Sequence, residues 1–126
     1  MRIAIAGAAG RMGRMLLTEV HETEGAEIAG GLERSGTDGI GQDLGKLIGI
    51  EPVGVMLSDD PDAVFSNADV VIDFTVPAAT VANLGHARRH GTAMVIGTTG
   101  MTAEDDAKVD EAAREITVMQ AGNMSL

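Results

Sequence analysis

The chain contains no cysteine, so neither a disulfide nor a thiolate metal site can form. Stability must then come from an ordinary core, and a chain of 126 residues buries roughly two-thirds of its unfolded surface on folding. One domain over residues 1–126 is the expectation, and a reducing, cytoplasmic setting is compatible with the missing thiols. Aromatic side chains are almost absent, with two Phe and no Tyr or Trp. That excludes the stacking platforms on which single-stranded nucleic acid is held. Positive charge is also scarce: 9 Lys and Arg stand against 19 Asp and Glu, a net charge of −10. A nucleic-acid backbone demands clustered cations and is not an expected partner. The same deficit means that an anionic ligand must be held by local donors, such as backbone N–H groups, a helix N-terminus or a placed Arg. No apolar run reaches the length of a bilayer span, and the stretch after Arg2 is too short for a signal-peptide core. The expectation is a soluble protein with no membrane partner.

Glycine, by contrast, is abundant at 17 residues, and its placement is informative. The run Arg2-Ile3-Ala4-Ile5-Ala6 is short, apolar and partly β-branched, and it ends at Gly7, the pattern of a buried parallel strand. From Gly10 to Glu22, Met12, Met15, Leu16 and Val20 recur at helical spacing. Residues 26–32 read as a second strand, completing a strand–turn–helix–strand unit. Residues 35–54 read as a Gly-rich loop with at most short helical pieces. Strands are then predicted over 53–56, 70–74, 93–96 and 116–119, and helices over 60–65, 77–90 and 102–115. Thr102 followed by Asp105 resembles a capping box, and Gly91 after Arg88, Arg89 and His90 suits a helix end. Strands alternating with helices imply an α/β domain built on a parallel, doubly wound sheet of the Rossmann type.

Ligands of such sheets lie at the carboxyl ends of the strands. Gly7-Ala8-Ala9-Gly10-Arg11-Met12-Gly13 occupies the first strand end. Its GxxGxxG spacing permits close approach of a pyrophosphate to the first turn of the helix, although a plain Gly-rich turn would read the same way. Glu33 ends the second strand 20 residues after Gly13, the separation of a carboxylate that accepts from an adenine ribose. Arg34 beside it can fork onto a 2′-phosphate; an exposed ion pair is the plainer alternative. Gly97-Thr98-Thr99-Gly100 and Ala121-Gly122-Asn123-Met124-Ser125 follow two further strands and offer small residues and donors where a nicotinamide could lie. Asp73-Phe74-Thr75-Val76-Pro77 ends another strand and is a further candidate contributor, although Pro77 as a helix starter accounts for it adequately.

These segments, in this order, resemble the amino half of the 4-hydroxy-tetrahydrodipicolinate reductases, enzymes of lysine and diaminopimelate biosynthesis. The matching runs are IAGAAGRMG, Glu33-Arg34, DFTVP, IGTTG and AGNMS, and they cover essentially the whole chain. The resemblance implies reduction of a small dicarboxylate by hydride from NADH or NADPH. It implies that Gly7, Ala8, Ala9, Gly10, Arg11 and Met12 hold the pyrophosphate, and that Glu33 and Arg34 hold the adenosine ribose and any 2′-phosphate. Gly97, Thr98 and Thr99, with Ala121, Gly122, Asn123 and Met124, would lie near the nicotinamide. Family chains continue into a substrate domain with an HHxxKxD motif, and full-length members are expected to be homo-oligomers. That motif is absent here, so the expectation is a cofactor domain cut at the hinge, without catalytic residues and inactive alone. Another Rossmann oxidoreductase and a non-enzymatic NAD(P)-binding module remain the alternatives.

Other residues are read as structural. His86 and His90 stand four apart on one helix, but two His make a poor zinc site, and no metal is expected. His21 is expected at the surface, and the methionines, including Met12 and Met15, as adaptable core filler. The Asp59-Asp60 and Asp105-Asp106 pairs suit helix starts.

Overall fold

A computed structural model of the chain describes residues 1–120. Six strands alternate with five helices in chain order: β1 (Arg2–Ala6), α1 (Arg11–Glu22), β2 (Glu27–Leu32), α2 (Leu44–Leu47), β3 (Leu57–Ser58), α3 (Pro61–Asn67), β4 (Val70–Asp73), α4 (Pro77–His90), β5 (Ala93–Ile96), α5 (Ala103–Ala112) and β6 (Val118–Gln120). All sheet pairings are parallel, in the order β3-β2-β1-β4-β5-β6. This is the Rossmann order, in which the chain reverses direction between β1 and β4, and a crevice opens there beyond the strands' carboxyl ends.

Side chains of β1 alternate between the two faces, as the pleat requires. Ala4 and Ala6 join Phe65, Leu84, Ala87, Val109 and Ala112, contributed by α3, α4 and α5. Ile5 joins Leu17 and Val20 of α1 with Leu44 and Leu57 on the opposite face. Helices therefore cover both faces, and β1 is completely buried over Ala4–Ile5. Close packing needs glycine in β2. A Cβ on Gly31 would stand 2.7 Å from Leu44 Cδ2, and one on Gly30 3.2 Å from Val64 Cγ1.

Local signals place the helix ends. Asp60 caps α3 by accepting from Asp62 N at 3.1 Å. Thr102 and Asp105 form the reciprocal capping box at α5, at 3.1 and 3.0 Å. Gly91 ends α4 in the left-handed region at φ 66°. Beyond Ala112 the helix tightens into three-residue turns, with Glu115 N donating to Ala112 O at 2.9 Å, so α5 stops short of residue 115.

Three expectations shift. The strand predicted over 53–56 lies at Leu57–Ser58 instead, paired with Gly31 and Leu32. Residues before it bond to the preceding loop rather than to the sheet: Leu44 N donates to Val55 O and Leu57 N to Gln42 O, both at 2.8 Å. Asp43 organises this loop, accepting from Gly45 N, Val53 N and Gly54 N at 2.7–2.9 Å. Those backbone donors, Val53 first, hold its carboxyl below the ordinary carboxylate range. The last strand begins at Val118, two residues later than the pattern suggests. The described methionines are mostly not filler: Met12 is 45% and Met15 59% exposed, and among the described residues only Met94 is buried in the core. The buried stripe of α1 is Gly13, Leu17 and Val20, and Met12 and Met15 fall off it.

His86 and His90 meet a carboxylate on the neighbouring helix. Asp62 Oδ1 lies 2.9 Å from both His90 Nε2 and Arg89 Nη1, and 3.9 Å from His86 Nδ1. The hydrogen bond with His90, reinforced by Arg89, lowers the Asp62 pKa. Among the described residues no group of three or more His, Cys, Asp or Glu is arranged to hold a metal ion, and no helix is long and apolar enough to cross a membrane.

Candidate cofactor site

The turn from β1 into α1 is tied down by its own backbone. Gly7 takes φ 81°, a left-handed conformation that side chains rarely adopt. Leu32 O at the end of β2 accepts from both Gly7 N and Ala8 N, at 2.9 and 3.3 Å, while Gly10 N donates to Gly7 O at 3.1 Å. Ala9 N donates to Glu33 Oε2 at 3.0 Å, which joins the turn to the end of β2. The internal donors of the turn are thereby used. Those of Arg11, Met12 and Gly13, the first helical residues, have no acceptor among the described residues, and Gly10 as N-cap has no side chain to offer one. Free N–H groups at a helix N-terminus can receive an anion, helped by the helix dipole.

This terminus opens on a cavity of about 460 Å³ at the point where the sheet reverses. Gly7 and Gly10 form one wall, Glu33 and Arg34 another, and Phe74, Thr75 and Val76 after β4 a third. Ala79, Ala82 and Asn83 of α4 complete it. Arg34 is exposed and forms no ion pair among the described residues. Its guanidinium is available to an anion. Glu33 is half-buried; Oε2 holds Ala9, and Oε1 has only the long 3.4 Å contact with Arg34 N.

A second cavity, of about 230 Å³, lies beyond β5 and includes Thr98 and Thr99 in its lining. Gly97 beneath it is buried and donates to Asp73 O at 2.8 Å. A Cβ there would stand 2.1 Å from Phe74 Cε1, so the missing side chain lets the ring lie across the strand end. Thr75, in the lining of the first cavity, donates its N–H to Thr98 Oγ1, in the lining of the second, at 3.1 Å.

Gly7, Gly10, Glu33 and Arg34 are thus brought together as expected, with Arg11 and Met12 at the head of α1. Ala8 is wholly buried, with its N–H turned inward, and shapes the turn rather than the cavity. Thr98 and Thr99 line the neighbouring cavity instead of the first. Ala121, Gly122, Asn123 and Met124 lie outside the described residues. The sequence understated the β4 end: Phe74, Thr75 and Val76 are a full wall, not merely a helix start. It missed Ala79, Ala82 and Asn83 altogether, although two small residues and an Asn at i, i+3 and i+4 on a helix that starts at a strand end are a readable sign.

The same segments recur in known proteins. Residues 1–124 match the family described as dihydrodipicolinate reductase, N-terminus. The whole chain is 50% identical to a 4-hydroxy-tetrahydrodipicolinate reductase of Rhodopseudomonas palustris (strain BisB18) and covers 46% of that protein. It is 51% identical to the like-named protein of Burkholderia ambifaria (strain MC40-6), covering 47% of it. The chain therefore spans about half the length of these relatives. In three dimensions it resembles the dipicolinate-bound dihydrodipicolinate reductase from Paenisporosarcina sp. TG-14, with a TM-score of 0.69 and 26% identity over 90% of this chain and 43% of that one. The fold, the glycine turn with its free helix N-terminus, and the match across residues 1–124 agree: the chain belongs to the dihydrodipicolinate reductase family, as its amino-terminal part.

Proposed function

We propose that the chain is the cofactor-binding part of a reductase that converts 4-hydroxy-tetrahydrodipicolinate to tetrahydrodipicolinate in lysine and diaminopimelate biosynthesis, with NADH or NADPH lying along the crevice. The observation that carries this reading is the N–H triplet of Arg11, Met12 and Gly13, without acceptors among the described residues, at the head of a helix whose N-cap, Gly10, lines the cavity together with Glu33 and Arg34. The residues fit the group. A pyrophosphate needs N–H donors and a close approach, and Gly10 is exposed, with nothing nearer its absent Cβ than Gly7 O at 3.4 Å. Such local donors offset the unfavourable field of a chain with net charge −10.

In this reading the bound reduced nicotinamide supplies the hydride, and the chain's own residues bind and orient. Arg11, Met12 and Gly13 hold the pyrophosphate through their backbone N–H groups, and the Gly7–Gly10 turn shapes its approach. Glu33 accepts from the adenine ribose, and Arg34 meets a 2′-phosphate with a charge-assisted fork. Gly97, Thr98 and Thr99, with residues 121–124, serve the nicotinamide side, where orientation toward the acceptor carbon supplies much of the rate. The dicarboxylate substrate, its proton donor and the assembly into oligomers belong to the whole protein, a soluble enzyme of the cytoplasm. Neither nucleic acid nor membrane enters this account.

Arg34 offers a clean test of cofactor choice. It is exposed and has no ion-pair partner among the described residues, so Arg34→Ala should leave the thermal midpoint essentially unchanged. Calorimetric titration should show NADPH weakened by about 1.5–3 kcal/mol, the worth of hydrogen bonds to a charged group. NADH should lose less. Equal losses for the two cofactors would contradict the 2′-phosphate role.

A further inference from the structure

A buried polar network ties residues that line the first cavity to one that lines the second. Asp73, the last residue of β4, is 0% exposed and forms no ion pair among the described residues. Its Oδ1 accepts from Thr75 N at 3.0 Å and from Thr75 Oγ1 at 2.5 Å. Its Oδ2 accepts from Asn83 Nδ2 of α4 at 3.0 Å. Thr80, also 0% exposed, shares a hydrogen bond of 2.7 Å with Thr98 Oγ1. Thr98 Oγ1 in turn accepts from Thr75 N at 3.1 Å. A buried carboxylate is costly unless its lone pairs are filled, and here a core of otherwise apolar residues accommodates one among four polar side chains. A hydrophobic residue at this strand end would pack without that demand, so the network needs a reason beyond stability.

Its geometry supplies one. The network joins the turn after β4 to the turn after β5 and anchors both to the first half of α4. Neither Asp73 nor Thr80 reaches either cavity surface, yet each holds residues that do: Thr75 and Asn83 in the first cavity, Thr98 in the second. We propose that Asp73 and Thr80 are positioning residues, which fix the Gly97–Thr99 turn against the Phe74–Val76 turn and so set the affinity for the nicotinamide-bearing half of the cofactor. This rests on the reading of the crevice as a dinucleotide site. Preorganised, buried supports of this kind hold contacting groups to the tolerance that binding requires, and a fully satisfied network rigidifies what it joins.

Because both side chains are fully buried, a change in ligand affinity on altering them must travel through the turns. The test compares NADH with ADP, which shares the adenosine and pyrophosphate but ends before the nicotinamide ribose. Thr80→Val keeps the shape and removes only the hydroxyl, which bonds Thr98 Oγ1 at 2.7 Å and lies 3.3 Å from Thr75 Oγ1. It should raise the Kd for NADH about fivefold, the worth of one neutral hydrogen bond. The Kd for ADP should stay within about twofold, since its sites at α1, Glu33 and Arg34 are untouched. Asp73→Asn should act in the same direction and more strongly, about tenfold or more for NADH, because charge-assisted bonds are lost. Should Asp73→Asn fail to fold, Thr80→Val alone decides. Thermal midpoints of the free proteins separate general loosening from positioning. Equal weakening of NADH and ADP, or unchanged NADH binding by folded Thr80→Val, would overturn the proposal while leaving the dinucleotide site intact. A wild-type chain that binds neither ligand would overturn the dinucleotide reading, and the positioning role with it.

Discussion

Replacing Gly13 by alanine is expected to cost about 3 kcal/mol of stability or more. A Cβ at this position would stand 2.1 Å from Gly7 O and 2.7 and 2.8 Å from Ala8 Cα and C. All three are backbone atoms of the turn, so no side chain can swing aside. Relief requires α1 to move off β1, which would pull Leu17 and Val20 out of the packing with Ile5 and Ile28. Overpacking typically costs about 1–3 kcal/mol and more where the neighbours cannot yield. In a domain this small such a loss lowers the thermal midpoint by roughly 10 °C or more. A variant melting within about 2 °C of the wild type would show that α1 does not sit as closely on the turn as this geometry requires.

Three residues earlier the expectation reverses. Gly10→Val should fold and yet lose binding of NADH and NADPH by about 100-fold or more. The position is exposed, its φ of −73° suits any residue, and a Cβ there meets only Gly7 O at ordinary contact distance, 3.4 Å. As N-cap, Gly10 makes no side-chain hydrogen bond that valine would forfeit. Valine even narrows the unfolded ensemble, so the free protein should melt within a few degrees of the wild type. What valine does fill is the approach to the N–H groups of Arg11, Met12 and Gly13. A pyrophosphate held away from them loses several charge-assisted hydrogen bonds together, each worth about 1.5–3 kcal/mol. Calorimetry with both cofactors and a melt of the free protein separate the cases. Normal affinity in a folded variant would remove the pyrophosphate from this turn. In the proposed reading glycine serves two ends in one motif, packing at Gly13 and access at Gly10, and the pair of variants distinguishes them.

Those two roles could not be told apart in the sequence, where GxxGxxG presents three equivalent glycines. What was legible there was local. Val70–Asp73 and Ala93–Ile96 read as buried strands because parallel strands covered on both faces are apolar throughout. The starts of α3 and α5 were legible because Asp60 and the Thr102–Asp105 pair satisfy the helix's own first donors. Glu33 was legible by its distance from the glycine turn. Its bond to Ala9 N across 24 positions of sequence was not. Features set by distant partners stayed hidden for the same reason. Val53 and Val55 have strand composition, but Gln42 and Leu44 take up the backbone of their segment, and pairing with β2 is deferred to Leu57. Met12 and Met15 follow helical spacing among apolar residues, yet the face that meets the sheet is chosen by Gly13, which alone can touch the turn. Asp73 reads as the end of a strand; that it is a fully satisfied carboxylate emerges only when Thr75 and Asn83 are folded against it.

In the proposed reading the free N–H groups of the first turn of α1 receive the pyrophosphate of a nicotinamide dinucleotide. Amide-resolved NMR of the isotope-labelled chain, titrated separately with NADH and NADPH, tests it most directly. Saturable shifts are expected from both, with the largest changes among the backbone amides of Arg11, Met12 and Gly13 and with Glu33 and Arg34 following. The amide of Ala8, already bonded to Leu32 O, should move less than these. Saturation without response at Arg11–Gly13, or the absence of saturable shifts with either cofactor, would contradict the account.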